Sequence, residues 1–364
     1  MWPGPGTRRR SRGVAEFAFA IPGDPDQRTG GYLYDRRLAA ELPRQGWQVR
    51  PVRLPDRFPF PGAADLAATD RLLADLPDGM PVVVDGLAFG AMPEAAARHA
   101  ARLRLVALVH HPLGYETGLS SQAATQLIES ERAALGHARH VVVTSTTTAQ
   151  TLAAAFGVAE ARLTVALPGT DPLPVAVGSG SAAPAMLAVG SVLPRKDFPA
   201  LVGALATLQD LPWRLVIAGS LARDPAEVDR LRAAVGRHGL SERVTLTGEV
   251  AADELRALLH RSDLFVSSSR YEGFGMALAE AVAAGLPVVA VAGGAVADWM
   301  DPDAAVLVPA DRPDELALAL RSVLAEPDRR HRLRMAALAA RSRLPDWAAC
   351  AAAVAAALDR VARA

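Results

Sequence analysis

Short strand-like runs alternate with helix-like segments along almost the whole chain, and this alternation limits the folds open to it. In the first half, the pattern predicts strands at Val14–Ile21, Trp47–Leu54, Val82–Asp85, Leu103–His110, His140–Thr144 and Leu163–Ala166. It predicts helices between them at Tyr32–Leu42, Ala63–Leu76, Pro93–Arg102, Ser121–Leu135 and Thr147–Phe156. Strands that alternate with helices build parallel sheets covered by helices, so we expect an α/β protein.

The alternation breaks once, in a segment rich in Pro, Gly and Ser from Pro168 to Pro184. Beyond it, strands are predicted at Met186–Val189, Arg214–Ala218, Val244–Leu246, Leu264–Val266, Pro287–Val291 and Ala305–Val308. A chain of 364 residues is too long for one ordinary core, so two domains of roughly 150–200 residues each are expected. We place a flexible basic tail at 1–13, a first domain at 14–172, a linker at 173–184 and a second domain at 185–344.

Composition narrows the classes of function. The formal net charge is zero, so bulk attraction to nucleic acid is not expected. The single cysteine, Cys350, permits no intrachain disulfide and fits a reducing compartment. The sequence has no apolar stretch of membrane-spanning length, and the apolar run after the basic start is too short for a signal peptide. We therefore expect a cytoplasmic protein.

Two glutamates, Glu272 and Glu280, mark the most informative motif. A Gly-Phe-Gly turn follows the first, and both lie beyond the predicted strand Leu264–Val266, where open α/β sheets bind ligands. Glycine amides and a helix N-terminus suit a phosphate, whereas carboxylates accept hydrogen bonds from hydroxyls. The combination predicts a nucleotide sugar as ligand. Taken alone, the pair would also fit a helix with one capping and one solvated glutamate.

A pair of cations, Arg195 and Lys196, follows the predicted strand Met186–Val189 in a loop that contains Pro194. Arginine offers a planar fork to phosphate oxygens and lysine a mobile charge, so the pair can neutralise a diphosphate. A solvated pair in a surface loop is the alternative. Its position after a strand end, in the same half as the two glutamates, favours the diphosphate.

The run from Tyr271 to Glu280 resembles the E-x7-E signature of retaining glycosyltransferases of family 4, which have the GT-B fold. The likeness is specific in the C-terminal half and weaker in the N-terminal half. It implies two Rossmann-like parallel-sheet domains that face each other across a cleft. It also implies that the final helix, within residues 345–364, crosses back to the first domain.

The resemblance also implies roles for individual residues. Glu272, with the amides of Phe274 and Gly275, would hold the sugar, and Glu280 would hold the ribose. The positions that it assigns to the donor are Gly30, Gly31, Arg195, Lys196, Val250, Gly273, Phe274, Gly275, Met276 and Glu280. From the residues alone, the Gly30-Gly31 pair would fit a plain turn equally well, and Val250 would fit an ordinary loop between a strand and a helix.

His110 ends the predicted strand Leu103–His110, so it faces the ligand-binding edge of a parallel sheet. It would hydrogen-bond the transferred sugar, position an acid-base partner, or only cap its loop. The resemblance favours the first role and makes His110 and Glu272 the catalytic residues, with His111 and Glu116 nearer the acceptor. Asp85 receives no assignment.

The sequence therefore predicts a retaining, metal-independent glycosyltransferase. It would move a sugar from a UDP-, GDP- or ADP-sugar to a hydroxyl of a small molecule, glycan or lipid. It would need no cofactor, and no Asp-x-Asp motif offers an obvious metal anchor. The alternatives are an epimerase or phosphorylase of the same fold, or a catalytically silent sugar-nucleotide binder. A peripheral membrane contact through Arg98, Arg102 and Arg104 stays open, since such a cluster is by default a solvated face.

Overall fold

The computed structural model describes residues 15–310, 312 and 314–363, which form two compact units. The first unit ends at Gly169 and resumes at Pro345, and the second runs from Thr170 to Leu344. The tail predicted at residues 1–13 and the first residue of the first predicted strand, Val14, lie outside the described residues. None of the helices in the described part of the chain combines the length and hydrophobicity of a membrane span.

The first unit contains a sheet of six parallel strands. They are β1 (Ala15–Pro22), β2 (Trp47–Leu54), β3 (Pro81–Asp85), β4 (Arg104–Val109), β5 (His140–Val143) and β6 (Leu163–Val165). Their order across the sheet is β2-β1-β3-β4-β5-β6. The predicted strands of this half are confirmed. The inner strands β1, β3, β4 and β5 are apolar runs with most residues buried, whereas the edge strands β2 and β6 are more exposed.

Six helices surround this sheet before the chain leaves the unit. They are α1 (Gly30–Glu41), α2 (Ala63–Ala74), α3 (Gly86–Phe89), α4 (Pro93–His99), α5 (Ser121–Gly136) and α6 (Thr146–Phe156). Helix α1 begins two residues earlier than predicted, because Thr29 caps it and accepts a hydrogen bond from the N–H of Tyr32 at 3.4 Å. The short α3 was not predicted.

The second unit contains another six-stranded parallel sheet. Its strands are β7 (Ala185–Val189), β8 (Arg214–Ala218), β9 (Val244–Gly248), β10 (Leu264–Ser267), β11 (Val288–Val291) and β12 (Ala305–Val308). The order is β12-β11-β10-β7-β8-β9. Leu264 and Val266 face one hydrophobic cluster and Phe265 faces another, so the sheet is covered on both faces.

The helices of the second unit follow its strands. They are α7 (Phe198–Ala206), α8 (Pro225–Arg237), α9 (Ala252–His260), α10 (Met276–Ala283), α11 (Val296–Trp299), α12 (Glu315–Leu324) and α13 (Pro327–Ala340). The segment predicted as a linker, 173–184, is bound to this unit: the N–H of Ala176 donates to the carbonyl of Ala284, and the N–H of Val177 to that of His260, each at 2.8 Å.

The last helix, α14 (Trp347–Arg363), belongs to the first unit, so the expected return of the chain is confirmed. The ring of Trp347 meets Tyr34 of α1 edge-on at 5.8 Å, and Nη1 of Arg104 donates to the carbonyl of Ala362 at 2.6 Å. A Cβ atom on Gly169 would lie 2.2 Å from the backbone nitrogen of Trp347, so the close approach requires glycine.

Each sheet has a point at which the strand order reverses. In the first unit it lies between β1 and β3, and in the second between β7 and β10. Open parallel sheets bind their ligands beside the carboxyl ends of the strands at such a switch point. Arg195 and Lys196 follow β7 and Glu272 follows β10, the two strands at the second switch point. In the first unit, Gly30 and Gly31 follow β1, whereas His110 follows β4, one strand beyond the first switch point.

Candidate active site

Two charged segments that are 76 residues apart in sequence meet in the second unit. The Nζ atom of Lys196 lies 2.5 Å from Oε1 of Glu272, and Nη1 of Arg195 lies 3.5 Å from Oε2 of the same carboxylate. The cations follow β7 and the glutamate follows β10, and these two strands pair directly. The structure thus joins two motifs that the sequence presents separately.

Hydrogen bonds fix the two segments against each other. The N–H of Arg270 donates to the carbonyl of Arg195 at 2.9 Å, and Nη1 of Arg195 donates to the carbonyl of Tyr271 at 3.0 Å. The hydroxyl of Ser268 donates to the carbonyl of Lys196 at 2.7 Å. The cation pair is therefore held in place by the protein before any ligand binds, which lowers the ordering cost of binding.

Glu272 is held ionised by its neighbours. Its exposed fraction is 9%, and burial by itself would raise its pKa. Lys196 and Arg195 outweigh burial, so the pKa of Glu272 lies below its usual range. An anionic ligand that binds the two cations would therefore compete directly with this carboxylate.

A glycine loop after β11 fixes the backbone of Glu272. The N–H of Glu272 donates to the carbonyl of Gly293 at 3.2 Å, and its carbonyl accepts from the N–H of Ala295 at 2.9 Å. A Cβ atom on Gly294 would lie 2.2 Å from the carbonyl oxygen of Glu272, and Gly294 has a φ of +68°. Sequence reasoning missed this loop, although a Gly-Gly pair directly after a predicted strand was an available signal.

The Gly-Phe-Gly turn leads into α10 through Gly275, which is the N-cap residue and has a φ of +95°. Gly273 is the first residue of the turn, and Met276 is the first residue of the helix. The ring of Phe274 is buried and stacks on Trp299, with centroids 5.0 Å apart, and Nε1 of Trp299 donates to the carbonyl of Phe274 at 2.8 Å. Phe274 can therefore offer a ligand only its backbone N–H. Trp299 was not identified from the sequence.

Glu280 lies on α10, and its carboxylate makes no hydrogen bond or ion pair with any residue that the structure describes. Burial and the negative charge of Asp171 raise the pKa of Glu280 to about 7, against the opposing charge of Arg256. Glu280 thus offers a carboxylate that has no protein donor.

Val250 follows β9 and is half-buried. It packs on the hydrophobic cluster that includes Leu278 of α10, the helix that carries Glu280.

In the first unit, His110 follows β4 and lies between two buried carboxylates. Its Nε2 atom lies 3.2 Å from Oδ1 of Asp35 and 3.5 Å from Oδ2 of Asp85. Asp35 lies on α1 and Asp85 ends β3, and both are almost fully buried. Sequence reasoning did not select Asp35, since a carboxylate inside a helix gives no local signal, and it left Asp85 unassigned.

The electrostatics of this cluster favour a protonated histidine. Burial alone would lower the pKa of His110, but the carboxylates of Asp35 and Asp85 outweigh it and hold that pKa well above its usual range. Burial, together with the charge of Asp85, raises the pKa of Asp35, against the pull of His110. An imidazolium between two carboxylates is the arrangement that these interactions stabilise.

Gly30 and Gly31 are the first two residues of α1. A Cβ atom on Gly31 would lie 3.5 Å from Cδ2 of His110, so the glycine backbone lies against the imidazole ring. Asp35, one turn further along the same helix, contacts the same ring. The structure therefore brings together the glycine turn and the histidine that the sequence suggested separately.

The loop after His110 carries His111 and Glu116. Glu116 accepts a hydrogen bond at Oε1 from the N–H of Thr117 at 3.1 Å, and His111 is half-buried. The loop is anchored by Glu131 of α5, whose Oε2 accepts from the N–H of Leu113 at 2.8 Å. The acceptor role of His111 and Glu116 stays a prediction.

Within the described ranges, Asp35, Asp85 and His110 form the one group of three side chains close enough to hold a metal ion. The same separations fit a charged imidazole that donates a hydrogen bond to Asp35 and forms an ion pair with Asp85. A protonated histidine balances the carboxylate charge as a cation would. Metal independence therefore stays a prediction.

The three arginines of the basic cluster are engaged within the first unit. Arg98 pairs with Asp70 at 2.5 Å and Arg102 with Asp78 at 2.9 Å, and Arg104 donates to α14. Such pairing is the arrangement expected of a solvated face. It gives no support to a membrane contact.

Two family descriptions match the chain. Residues 32–172 match Glycosyltransferase Family 4, and residues 174–339 match Glycosyl transferases group 1. The chain belongs to glycosyltransferase family 4. The family that the resemblance of residues 271–280 predicts is thereby confirmed.

Relatives of this family 4 glycosyltransferase share parts of its length. It is 40% identical over 136 residues to the GDP-mannose:cellobiosyl-diphosphopolyprenol alpha-mannosyltransferase of Xanthomonas oryzae, a match that covers 35% of this chain and 34% of that protein. It is 28% identical to the MMP alpha-(1->4)-mannosyltransferase of Mycolicibacterium hassiacum, over 76% of this chain and 69% of the relative. The match thus spans only about a third of the length of the Xanthomonas protein.

Solved structures resemble the chain over nearly its whole length. The sucrose-phosphate synthase of Thermosynechococcus elongatus has a TM-score of 0.75 at 23% identity and covers 92% of this chain and 96% of its own. Anabaena HepE, solved with UDP and glucose, has a TM-score of 0.74 at 18% identity and covers 94% and 99% respectively. With the two parallel sheets, these similarities confirm the expected GT-B fold.

Proposed function

We propose that this protein is a retaining, metal-independent glycosyltransferase that moves a sugar from a nucleoside diphosphate sugar to a hydroxyl acceptor. The observation that carries the proposal is the contact of Glu272 with Lys196 and Arg195 beside the switch point of the second unit. Cations that suit a diphosphate and a carboxylate that suits sugar hydroxyls lie side by side there.

In this account the diphosphate of the donor binds Arg195 and Lys196 and takes the place of Glu272 as their partner. The released carboxylate of Glu272 then accepts hydrogen bonds from the sugar. Glu280, which has no donor among the described residues, accepts from the ribose hydroxyls. The two cations stabilise the charge that develops on the departing diphosphate, which is why we propose that no metal is required.

Retention follows if the acceptor attacks from the face that the diphosphate leaves. The bond between the anomeric carbon and the phosphate oxygen breaks, and a bond from the acceptor oxygen forms on the same face. The acceptor proton passes to the departing phosphate oxygen. This route needs no protein base, and it assigns Glu272 and His110 to the stabilisation of the sugar.

The donor and acceptor are proposed only by chemical class. The name of the Xanthomonas relative contains GDP-mannose and a diphosphopolyprenol, and the Anabaena structure holds UDP and glucose. GDP-mannose, UDP-glucose and ADP-glucose are therefore the first donors to test, against a panel of small-molecule, glycan and polyprenyl acceptors.

The test is nucleoside diphosphate release in the presence of EDTA, with the anomeric configuration of the product read by NMR. Glu272→Gln should lower turnover by roughly 100-fold or more, because it removes a charge aimed at the reacting sugar. Glu227→Gln is the matched control, since Glu227 is a buried glutamate of the same unit that pairs with Arg230. An inverted product would refute retention, and loss of activity in EDTA would refute metal independence.

The same assay separates the alternatives. An epimerase would release an altered sugar without any acceptor, and a phosphorylase would require inorganic phosphate. A silent binder would bind a donor without either transfer or slow hydrolysis. Each of these outcomes would replace the proposed reaction while leaving the family assignment intact.

A further inference from the structure

The strongest feature outside the glutamate motif is the convergence of carboxylates from two elements on one imidazole nitrogen. Nε2 of His110 is within 3.2 Å of Asp35 and 3.5 Å of Asp85. One carboxylate belongs to α1 and the other to the end of β3, so two separate elements place negative charge beside Nε2 of His110. This arrangement lies beside the switch point of the first unit, between β1 and β3.

The other ring nitrogen of His110, Nδ1, has different surroundings from Nε2. Nδ1 of His110 makes no hydrogen bond to any residue in the described part of the chain, and the His110 side chain is 22% exposed. Gly31 lies against the Cδ2 and Nε2 edge of the ring. The Nε2 edge is thus enclosed by protein, which leaves the Nδ1 edge for a ligand.

The charges of the neighbouring groups decide what Nδ1 can offer. The ionisable groups packed against His110 are Asp35, Asp85 and the phenol of Tyr34, whose ring meets the imidazole edge-on at 5.1 Å. Burial raises the pKa of Tyr34, so its phenol stays neutral. Asp35 accepts from Nε2–H and Asp85 lies at ion-pair distance, and two buried carboxylates so close favour a charged imidazole, because a neutral ring would leave them without a counter-charge.

We propose that Asp35 and Asp85 are positioning residues that hold His110 as an imidazolium and leave its Nδ1–H as a charged donor to an oxygen of the sugar nucleotide. This inference rests on the proposed function, in which His110 contacts the transferred sugar. A neutral histidine with its proton on Nε2 would present Nδ1 as an acceptor. The two aspartates therefore determine whether His110 donates or accepts.

Asp35 differs from a buried acid that only stabilises the fold. One oxygen of Asp35, Oδ2, is buried and makes no hydrogen bond with a described residue. A carboxylate kept only for stability would be expected to have both oxygens satisfied. The energetic cost of the unsatisfied Oδ2 atom is explained if the negative charge of Asp35 stabilises the imidazolium of His110.

The test reads the protonation of His110 directly, by NMR of the protein labelled with ¹³C and ¹⁵N at histidine. The chain contains 8 histidines, and the His110→Gln variant identifies the signal of interest. In the unaltered protein the His110 signals should stay those of an imidazolium from pH 6 to pH 8.5. In Asp35→Asn and Asp85→Asn the titration midpoint should fall by about one to three pH units.

Kinetics give the second readout. Relative to the unaltered protein, kcat of Asp35→Asn should fall about tenfold for each pH unit above the new midpoint and recover at lower pH. A merely structural role would lower stability without this pH dependence. Asp85→Asn carries the same test if Asp35→Asn does not fold.

Asp70→Asn is the matched control. Asp70 lies 3.0 Å from Nε2 of His99 in the same unit, so the variant removes a histidine–aspartate contact elsewhere. It should shift the His99 signal and leave both the His110 signal and the kcat profile unchanged. A change at His110 in this variant would show that the effect is not local and would overturn the proposal.

Three other results would also overturn it: a neutral His110 at pH 7, an unchanged midpoint in both aspartate variants, or His110 signals that respond to added Zn²⁺ or Mn²⁺ as a metal ligand. The NMR measurement needs no substrate. If the protein transfers no sugar but His110 titrates as expected, the proposed function fails while the positioning role of the aspartates stands.

Discussion

Lys196 and Glu272 form a short ion pair, with Nζ 2.5 Å from Oε1, and both side chains are largely buried at 13% and 11% exposure. The pair joins the loop after β7 to the loop after β10. A buried ion pair contributes little net stability, but removing one partner leaves an uncompensated charge. The two loops are therefore coupled through charge, in addition to their backbone hydrogen bonds.

This coupling predicts the behaviour of single and double variants. Lys196→Met should lower the free energy of unfolding by about 3 kcal/mol, near the lower end for a broken buried pair because Arg195 remains close to Glu272. Adding Glu272→Gln should restore most of the loss. Denaturant titrations of the two single variants and the double variant measure the coupling energy. Additive losses would show that the two side chains act independently.

The position of Gly294 predicts a steric effect on Glu272. Gly294→Ala would force a Cβ atom against the carbonyl oxygen of Glu272, so transfer activity and stability should both fall. Gly239→Ala is a matched control, since Gly239 has a similar φ of +66° but no atom within 4 Å of the added carbon. The control should lose only about 1 kcal/mol, from backbone strain, and Gly294→Ala about 1–3 kcal/mol more. Equal losses with full activity in both variants would contradict the assigned role of the glycine loop.

Glu131 predicts a dependence of stability on pH. Burial raises the pKa of Glu131 in the folded protein to about 8, whereas it is near 4.5 in the unfolded chain. The favourable contribution of the neutral carboxyl is complete below pH 4.5 and is lost as pH rises through 8. Glu131→Gln keeps a neutral side chain that accepts from Leu113, so its advantage over the unaltered protein should grow by about 1.4 kcal/mol per pH unit in this window.

Unfolding measurements at pH 5, 6.5 and 8 on both proteins check the Glu131 prediction. The two stability curves should converge at the acidic end and separate toward the alkaline end. Parallel curves would show that Glu131 does not titrate within this range.

Glu280 predicts that donor binding depends on pH. The pKa of Glu280 is raised to about 7, and only the ionised carboxylate accepts hydrogen bonds at both oxygens. Donor affinity should therefore rise about tenfold between pH 6 and pH 8. Titration calorimetry should find this rise in the unaltered protein and in Glu227→Gln, but not in Glu280→Gln. The same rise in Glu280→Gln would exclude Glu280 as its source.

The inner strands were predictable because they are short apolar runs bounded by turn residues, and the edge strands β2 and β9 because apolar and polar residues mix in short runs between helices. β8 and β12 lie where the sequence places them, and the return of α14 to the first unit agrees with the family resemblance. The four-residue α3 escaped prediction because it is too short to show helical periodicity. It begins at Gly86, after the N-cap residue Asp85, whose Oδ1 accepts from the N–H of Leu87 at 2.9 Å.

The site was predictable only where the signal is local. His110 ends a predicted strand, and the Arg195–Lys196 pair and the Glu272 motif lie in the loops that follow predicted strands. Asp35 could not be found, since its role depends on a contact with His110, which is 75 residues away in the sequence. The burial of the Phe274 ring depends on Trp299, which is 25 residues away. The cytoplasmic location and the roles assigned to the donor-binding residues stay predictions.

In the proposed function, Arg195 and Lys196 bind the diphosphate of a sugar nucleotide without a metal, beside Glu272. Titration calorimetry of GDP-mannose, UDP-glucose and ADP-glucose in EDTA tests it most directly, on the unaltered protein, Lys196→Met and Glu227→Gln. We expect one donor to bind in EDTA, Lys196→Met to weaken this binding about tenfold or more, and Glu227→Gln to leave it unchanged. Binding that requires an added divalent ion, or equal affinity in Lys196→Met and the unaltered protein, would contradict the claim.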